Sequence, residues 1–135
     1  MPTTTAAATT TRRLAAAAMA AAALIHLVLI PEYLEEKAYI GVLFAVSVPP
    51  SVWLAAVLWR RPDTRAWLLG ALLALGMAGA FVVSRTIGLP GFDESGEWEP
   101  LGLASLVVEL GFAVLAAVAV LAHVKTTPRK AGAHA

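Results

Sequence analysis

The stretch LGLASLVVELGFAVLAAVAVLAHV, residues Leu101–Val124, is an apolar run with one acidic residue in it, Glu109. About twenty residues of helix cover the hydrocarbon core of a bilayer, so this run is long enough to cross. Comparable runs precede it at Leu14–Ile30, Ala38–Trp59 and Ala66–Ile87. The pattern predicts an all-α protein, a four-transmembrane-helix bundle with up-down-up-down topology. The predicted organisation is one domain over residues 14–124, with disordered cytoplasmic tails at 1–13 and 125–135, because those tails are small and polar and have nothing to bury.

Composition points the same way. Hydrophobic residues make up 59% of the 135-residue chain and charged residues 14%, too apolar for a soluble domain of this size. The lipid bilayer is the first partner this implies. The chain has no cysteine, which excludes disulfides, thiol redox chemistry, cysteine metal clusters and the thiol-based quinone reductases that use four-helix bundles.

The loops alternate in sign. Arg12 and Arg13 precede the first span, Arg60, Arg61 and Arg65 join the second to the third, and Lys125, Arg129 and Lys130 follow the fourth. The other two connections carry Glu32, Glu35 and Glu36, then Asp93, Glu94, Glu97 and Glu99. The positive-inside rule therefore predicts both termini in the cytoplasm and the acidic loops outside. Trp59 and Trp67 fall at the inner interface, and Tyr33, Tyr39 and Trp98 at the outer one. Alanine-rich, cysteine-free composition fits a bacterial inner membrane. The basic residues flank membrane spans, so topology and anionic headgroups account for them and nucleic-acid binding is not indicated.

The first span, mostly alanine over residues 15–23, also resembles a secretory signal, with a small-residue cleavage site drawn within 20–23. The apolar run continues through Leu24–Ile30 without a polar break, which favours an uncleaved helix. In the third span Gly76, Ala80 and Ser84 recur every four residues, a strip that lets another helix come near. In the second, Pro49 and Pro50 remove helical hydrogen bonds, so a kink is expected there, and Ser47, Ser51, a facing helix or a water must answer the carbonyls of Ala45 and Val46.

Ionisable groups within the apolar layer are the functional candidates. Glu109 lies eight residues into its span, about 12 Å along the helix axis. An unpaired carboxylate at that depth costs several kcal/mol, so it must be protonated, hydrogen-bonded or matched to a cation. Arg85, a positive residue on the acidic side, and His26, about one turn below the outer end of the first span, are the partners within reach. His26 and Glu109 with Glu32, or with Glu35 or Glu99, would form a mixed nitrogen and oxygen set suited to zinc, copper(II) or iron. Read as a ligand or ion-pair cluster, the set is Arg85, Glu109, Glu99 and His26. His123, at the opposite end of the fourth span, cannot join it.

His26, Pro31-Glu32, Glu35, Gly41, the segment Ser84-Arg85-Thr86-Ile87-Gly88-Leu89-Pro90 and Glu109 together carry a resemblance to small four-helix bacterial integral membrane proteins of uncharacterised function. That family's pattern is a histidine before Pro-Glu, an S-R-T-x-G-L-P exit from the third helix and a glutamate in the fourth. It places a histidine directly after Pro-Glu, where this chain has Tyr33. The resemblance covers most of the chain apart from the tails and implies membership without an activity. Independently of relatives, Gly88 can end the third helix in a left-handed conformation and Pro90 stops its continuation. Ser84 and Thr86 can bond carbonyls of the last turn.

Two function classes follow. One is a non-enzymatic membrane protein with a buried, outward-facing polar cluster, a subunit of a larger assembly or a binder of a small ligand or metal. The other is a proton-coupled transporter of small molecules acting as a homodimer, with Glu109 exchanging the proton. No nucleophile, base and orienting group stand together at a spacing that points to an enzyme.

Overall fold

The computed structural model describes residues 2–126, with side chains from Thr5 onward. Its elements are four helices: α1 (Pro2–Glu36), α2 (Ala38–Arg60), α3 (Thr64–Thr86) and α4 (Pro100–Thr126). Each is long and apolar enough to cross a membrane. The chain is thus a small multi-pass, all-α protein.

The span limits differ from the sequence reading chiefly in α1. The threonine- and alanine-rich segment expected to be a disordered tail is helical from Pro2 onward. Arg12 supplies a reason: it donates to the carbonyls of Leu58 and Trp59 in the last turn of α2, the Trp59 bond being 2.7 Å long. Helix ends leave carbonyls without partners, and a basic side chain can answer them. Arg13 lies over the Trp59 ring, 5.2 Å from its centroid. At the other end α1 runs through Pro31 to Glu36. Of the expected C-terminal tail, Lys125 and Thr126 are helical and residues 127–135 lie outside the described residues.

Lys37 alone links α1 to α2, and a short turn over residues 61–63 links α2 to α3. Asp63 caps α3 by accepting from the Ala66 amide at 3.1 Å. Contact between α1 and α2 is the most extensive, α4 packs on α1 and on α3, and of these neighbouring pairs α2 and α3 touch least. The bundle is therefore closed on three sides and loosely closed on the fourth.

Small residues decide where it closes. Around Met19, Leu54, Leu58, Trp67 and Phe112, the buried alanines Ala15, Ala16, Ala66, Ala74 and Ala116 bring the helices together into one apolar core. Gly70 sits so near Phe112 that an added Cβ would lie 2.5 Å from the ring. The buried small face of α3 is thus Ala66, Gly70, Ala74 and Ala78. Of the expected strip of Gly76, Ala80 and Ser84, Ser84 is buried, whereas Gly76 and Ala80 are exposed and a Cβ on Gly76 would meet nothing within 4 Å. α2 is helical throughout, Pro49 and Pro50 included. Ser47 and Ser51 donate to the carbonyls of Phe44 and Ser47, not to those of Ala45 and Val46.

The exit from α3 follows the local chemistry of its sequence. Gly88 has φ 88° and gives its amide to the Val83 carbonyl at 2.9 Å, a conformation glycine adopts at no steric cost. Ser84 and Thr86 bond the carbonyls of Phe81 and Val82, each at 2.7 Å. Leu89 and Phe92 then exchange backbone bonds around a tight turn, and Gly96 donates to the Arg85 carbonyl at 2.9 Å. These bonds fold the acidic loop back over the end of the bundle.

Candidate functional site

Beneath that loop two polar centres face one cavity of about 110 Å³. The first draws on three helices: His26 from α1, Ser47 from α2, and Ser105 with Glu109 from α4. Ser105 and Glu109 are four residues apart and share a helix face. All four side chains are buried, Glu109 with 2% of its surface exposed and His26 with 3%.

Counting protons orders this centre. Ser47 donates its one proton to the Phe44 carbonyl at 2.7 Å, so toward His26 Nδ1, 2.8 Å away, it can only accept. Nδ1 therefore carries hydrogen. His26 Nε2 lies 3.1 Å from Ser105 Oγ and 3.1 Å from Glu109 Oε1, and Ser105 donates to that same Oε1 at 2.6 Å. Two arrangements satisfy this geometry. In one, Nε2 is protonated and an imidazolium faces a carboxylate; in the other the proton sits on Glu109 and Nε2 accepts. Moving one proton over about 3 Å converts a buried ion pair into a neutral one. The outer oxygen, Glu109 Oε2, is buried and has no hydrogen-bond partner among the described residues.

The second centre is built around Arg85 near the end of α3. Its Nη2 donates to Glu99 Oε1 at 2.7 Å and to the Tyr33 hydroxyl at 3.0 Å, and Tyr33 in turn donates to the same Glu99 oxygen at 2.7 Å. Nη1 pairs with Glu94. The Phe81 ring stacks beneath the guanidinium, 5.0 Å from Cζ to centroid. Charge pairing at a buried arginine stabilises only with good geometry and full partners. Here Nε remains without a partner among the described residues.

Apolar walls fill the space between. Phe44 lies 4.9 Å from the His26 ring and 5.0 Å from the Tyr33 ring, and Phe92 closes on Tyr33 at 5.8 Å. Ile40 and Leu29 complete a small core under the loop.

The sequence-predicted residues separate accordingly. His26 and Glu109 are in contact, and Glu99 is with Arg85. Arg85, expected to reach Glu109, is instead engaged by Glu94 and Glu99, because the loop after Gly88 returns both acids to it. Glu32 and Glu35 are exposed. No group of three or more His, Cys, Asp or Glu residues able to hold a metal occurs among the described residues, so the proposed set of His26, Glu32 and Glu109 does not assemble. Unforeseen were the direct bonds of Ser47 and Tyr33 and the role of Glu94. A signal for Ser47 existed: His26 lies eleven residues before the single linking residue Lys37 and Ser47 ten after it, which sets them at one level of a tight hairpin.

The chain matches no protein-family model, no curated protein and no solved structure.

Proposed function

We propose that this is a non-enzymatic membrane protein that binds a small molecule in the cavity between the His26–Glu109 and Arg85–Glu99 centres. The observation that carries this reading is a pair of buried, unanswered polar atoms, Glu109 Oε2 and Arg85 Nε, on side chains that line the same cavity. Each such atom is costly inside a bundle unless a ligand or water answers it. A compact apolar space with a few convergent polar groups is the usual form of a small-molecule site. Binding is tested by calorimetry on the purified protein with uncharged hydroxyl compounds such as phenol and hydroquinone. A saturable signal weakened in Glu109→Gln is expected, and equal binding by that variant would remove Glu109 from the site.

The same reading places both termini in the cytoplasm of a bacterium and the cavity on the outer side of its inner membrane, supported by the alternation of basic and acidic connections. The absence of native cysteine makes this easy to check. Glu97→Cys should react with an impermeant thiol reagent in intact cells, and Arg61→Cys should not; the reverse pattern would invert the topology.

The close approach of His26 Nε2 to Glu109, across which one proton can pass, favours one second reading, a proton-coupled transporter acting as a dimer. Vesicles carrying the protein should then show substrate-driven proton flux that vanishes in Glu109→Gln. Flux persisting in that variant argues against it.

A further inference from the structure

The loosely closed side of the bundle suggests where the ligand comes from. Between α2 and α3 lies an apolar groove of about 690 Å³, walled by Leu43, Val46, Pro50, Trp53, Leu69 and Leu72 among others. Four of its wall residues, Leu43, Ser47, Met77 and Ala80, also line the polar cavity. The two spaces are thus neighbours through a shared wall, one of them opening sideways where a bilayer would lie. Val46, Trp53 and Leu72 expose more than half their surface along it, as a lipid-facing channel would require.

The polar end limits the headgroup. Near 110 Å³ the cavity is comparable with the engineered apolar cavity of ~150 Å³ that takes a benzene, so it admits about one six-membered ring and excludes a phosphodiester headgroup. Apart from the Arg85–Glu94 pair, the atoms of its lining without a hydrogen-bond partner among the described residues are a guanidinium N–H and a carboxyl oxygen. An anionic headgroup would meet Arg85 Nε and be repelled by Glu94, Glu99 and an ionised Glu109. A cation would meet Glu109 and oppose Arg85. An uncharged group with a hydroxyl serves both, accepting from the one and donating to the other. The ring faces of Phe44, Phe81 and Phe92 suit a planar group.

Resting on the binding reading above, we infer that the ligand is an uncharged membrane amphiphile, a hydroxylated ring held between Glu109 and Arg85 with its apolar chain lying in the α2–α3 groove. The protein then takes its ligand from the bilayer, not from water.

The test compares hydroquinone with 2-decylhydroquinone and with decanoate, by calorimetry on the detergent-solubilised full chain and on Gly76→Phe. Gly76 lines the groove alone, and its Cβ would meet no atom within 4 Å, so the variant blocks the chain's path without disturbing the cavity. The decyl compound is expected to bind roughly tenfold tighter than hydroquinone, decanoate not to saturate, and Gly76→Phe to erase the chain's advantage while keeping hydroquinone affinity. Hydroquinone binding as tightly as its decyl derivative would overturn the inference and leave the binding reading standing. So would a chain advantage that survives Gly76→Phe, or a dimer lost in that variant, which would give the groove to a second copy. Binding of none of the probes would overturn both.

Discussion

The same four helices pack an apolar core toward one end and line a polar cavity at the other. At the arginine-flanked end, alanines and Gly70 let backbones close on Met19, Leu58 and Phe112 in an apolar core. At the acidic-loop end, aromatic rings and ionisable groups line a cavity. Lipid tails are as apolar as leucine, so apolar burial alone does not drive helices together in a membrane. Close approach closes the first end, and hydrogen bonds and ion pairs hold the second. The two ends should respond differently to the same kinds of substitution.

The largest effect belongs to the ion-paired end. Arg85→Ala leaves Glu94, Glu99 and the Tyr33 hydroxyl without their common partner. Breaking a buried pair from one side costs about 3–5 kcal/mol. A thermal melt in detergent should show the greatest loss of stability of any single change discussed. A melt within a degree or two of the parent would mean that the loop acids are solvated and that the hollow end is not held by charge.

The apolar end gives the next effect. Gly70→Leu would press into Phe112, and overpacking costs about 1–3 kcal/mol. On another face of the same helix, Gly76→Ala meets open space and should be neutral or stabilising by up to about 1 kcal/mol, the helix-propensity gain. Equal melting shifts for the pair would erase the distinction between a packed and an open face of α3.

How far this was readable beforehand follows from the same division. Long apolar runs state their own length, so the four helices and the all-α class were legible. Glu109 and Arg85 were visible as candidates because charge in an apolar run is costly wherever it points. Which carboxylate meets Arg85 was not legible. That depends on Gly88, the Leu89–Phe92 turn and the Gly96 amide, which together return Glu94 and Glu99 to the helix end, and a loop's path is set by several weak bonds at once. For a similar reason the face of α3 that packs was legible only in part, Ser84 being buried but Gly76 and Ala80 exposed. Gly76, Ala80 and Ser84 offer the spacing, but Ala66, Gly70 and Ala74 offer it too, and only the neighbours decide.

Within the hollow end the proton-sharing centre is the finer probe. Ser47→Ala removes the acceptor for His26 Nδ1–H, and a lost hydrogen bond of this kind costs about 1 kcal/mol. Ser51→Ala removes only a bond to its own helix's carbonyl and should melt closer to the parent. If both shift equally, Ser47 is a helix-backbone serine like Ser51 and the orientation assigned to His26 loses its anchor.

The smallest effect lies in the acidic loop that covers this end. The hydroxyl of Ser95, with its backbone amide second, donates to Asp93 and holds that carboxyl below its ordinary value of 3.8. A depressed folded-state value means that the contribution is fully present above the unfolded value and fades as pH falls through the folded one. Ser95→Ala removes the larger cause and keeps the amide, so the Asp93 titration should move upward without fully recovering the ordinary value. Acid should then loosen the loop at a higher pH in the variant than in the parent, with the difference confined below about pH 4 and no difference at neutral pH. Carboxyl-resolved NMR titration reads this directly. Identical titrations would detach Ser95 from Asp93 and leave the Arg85 pairings and the loop's backbone bonds to fasten it over the cavity.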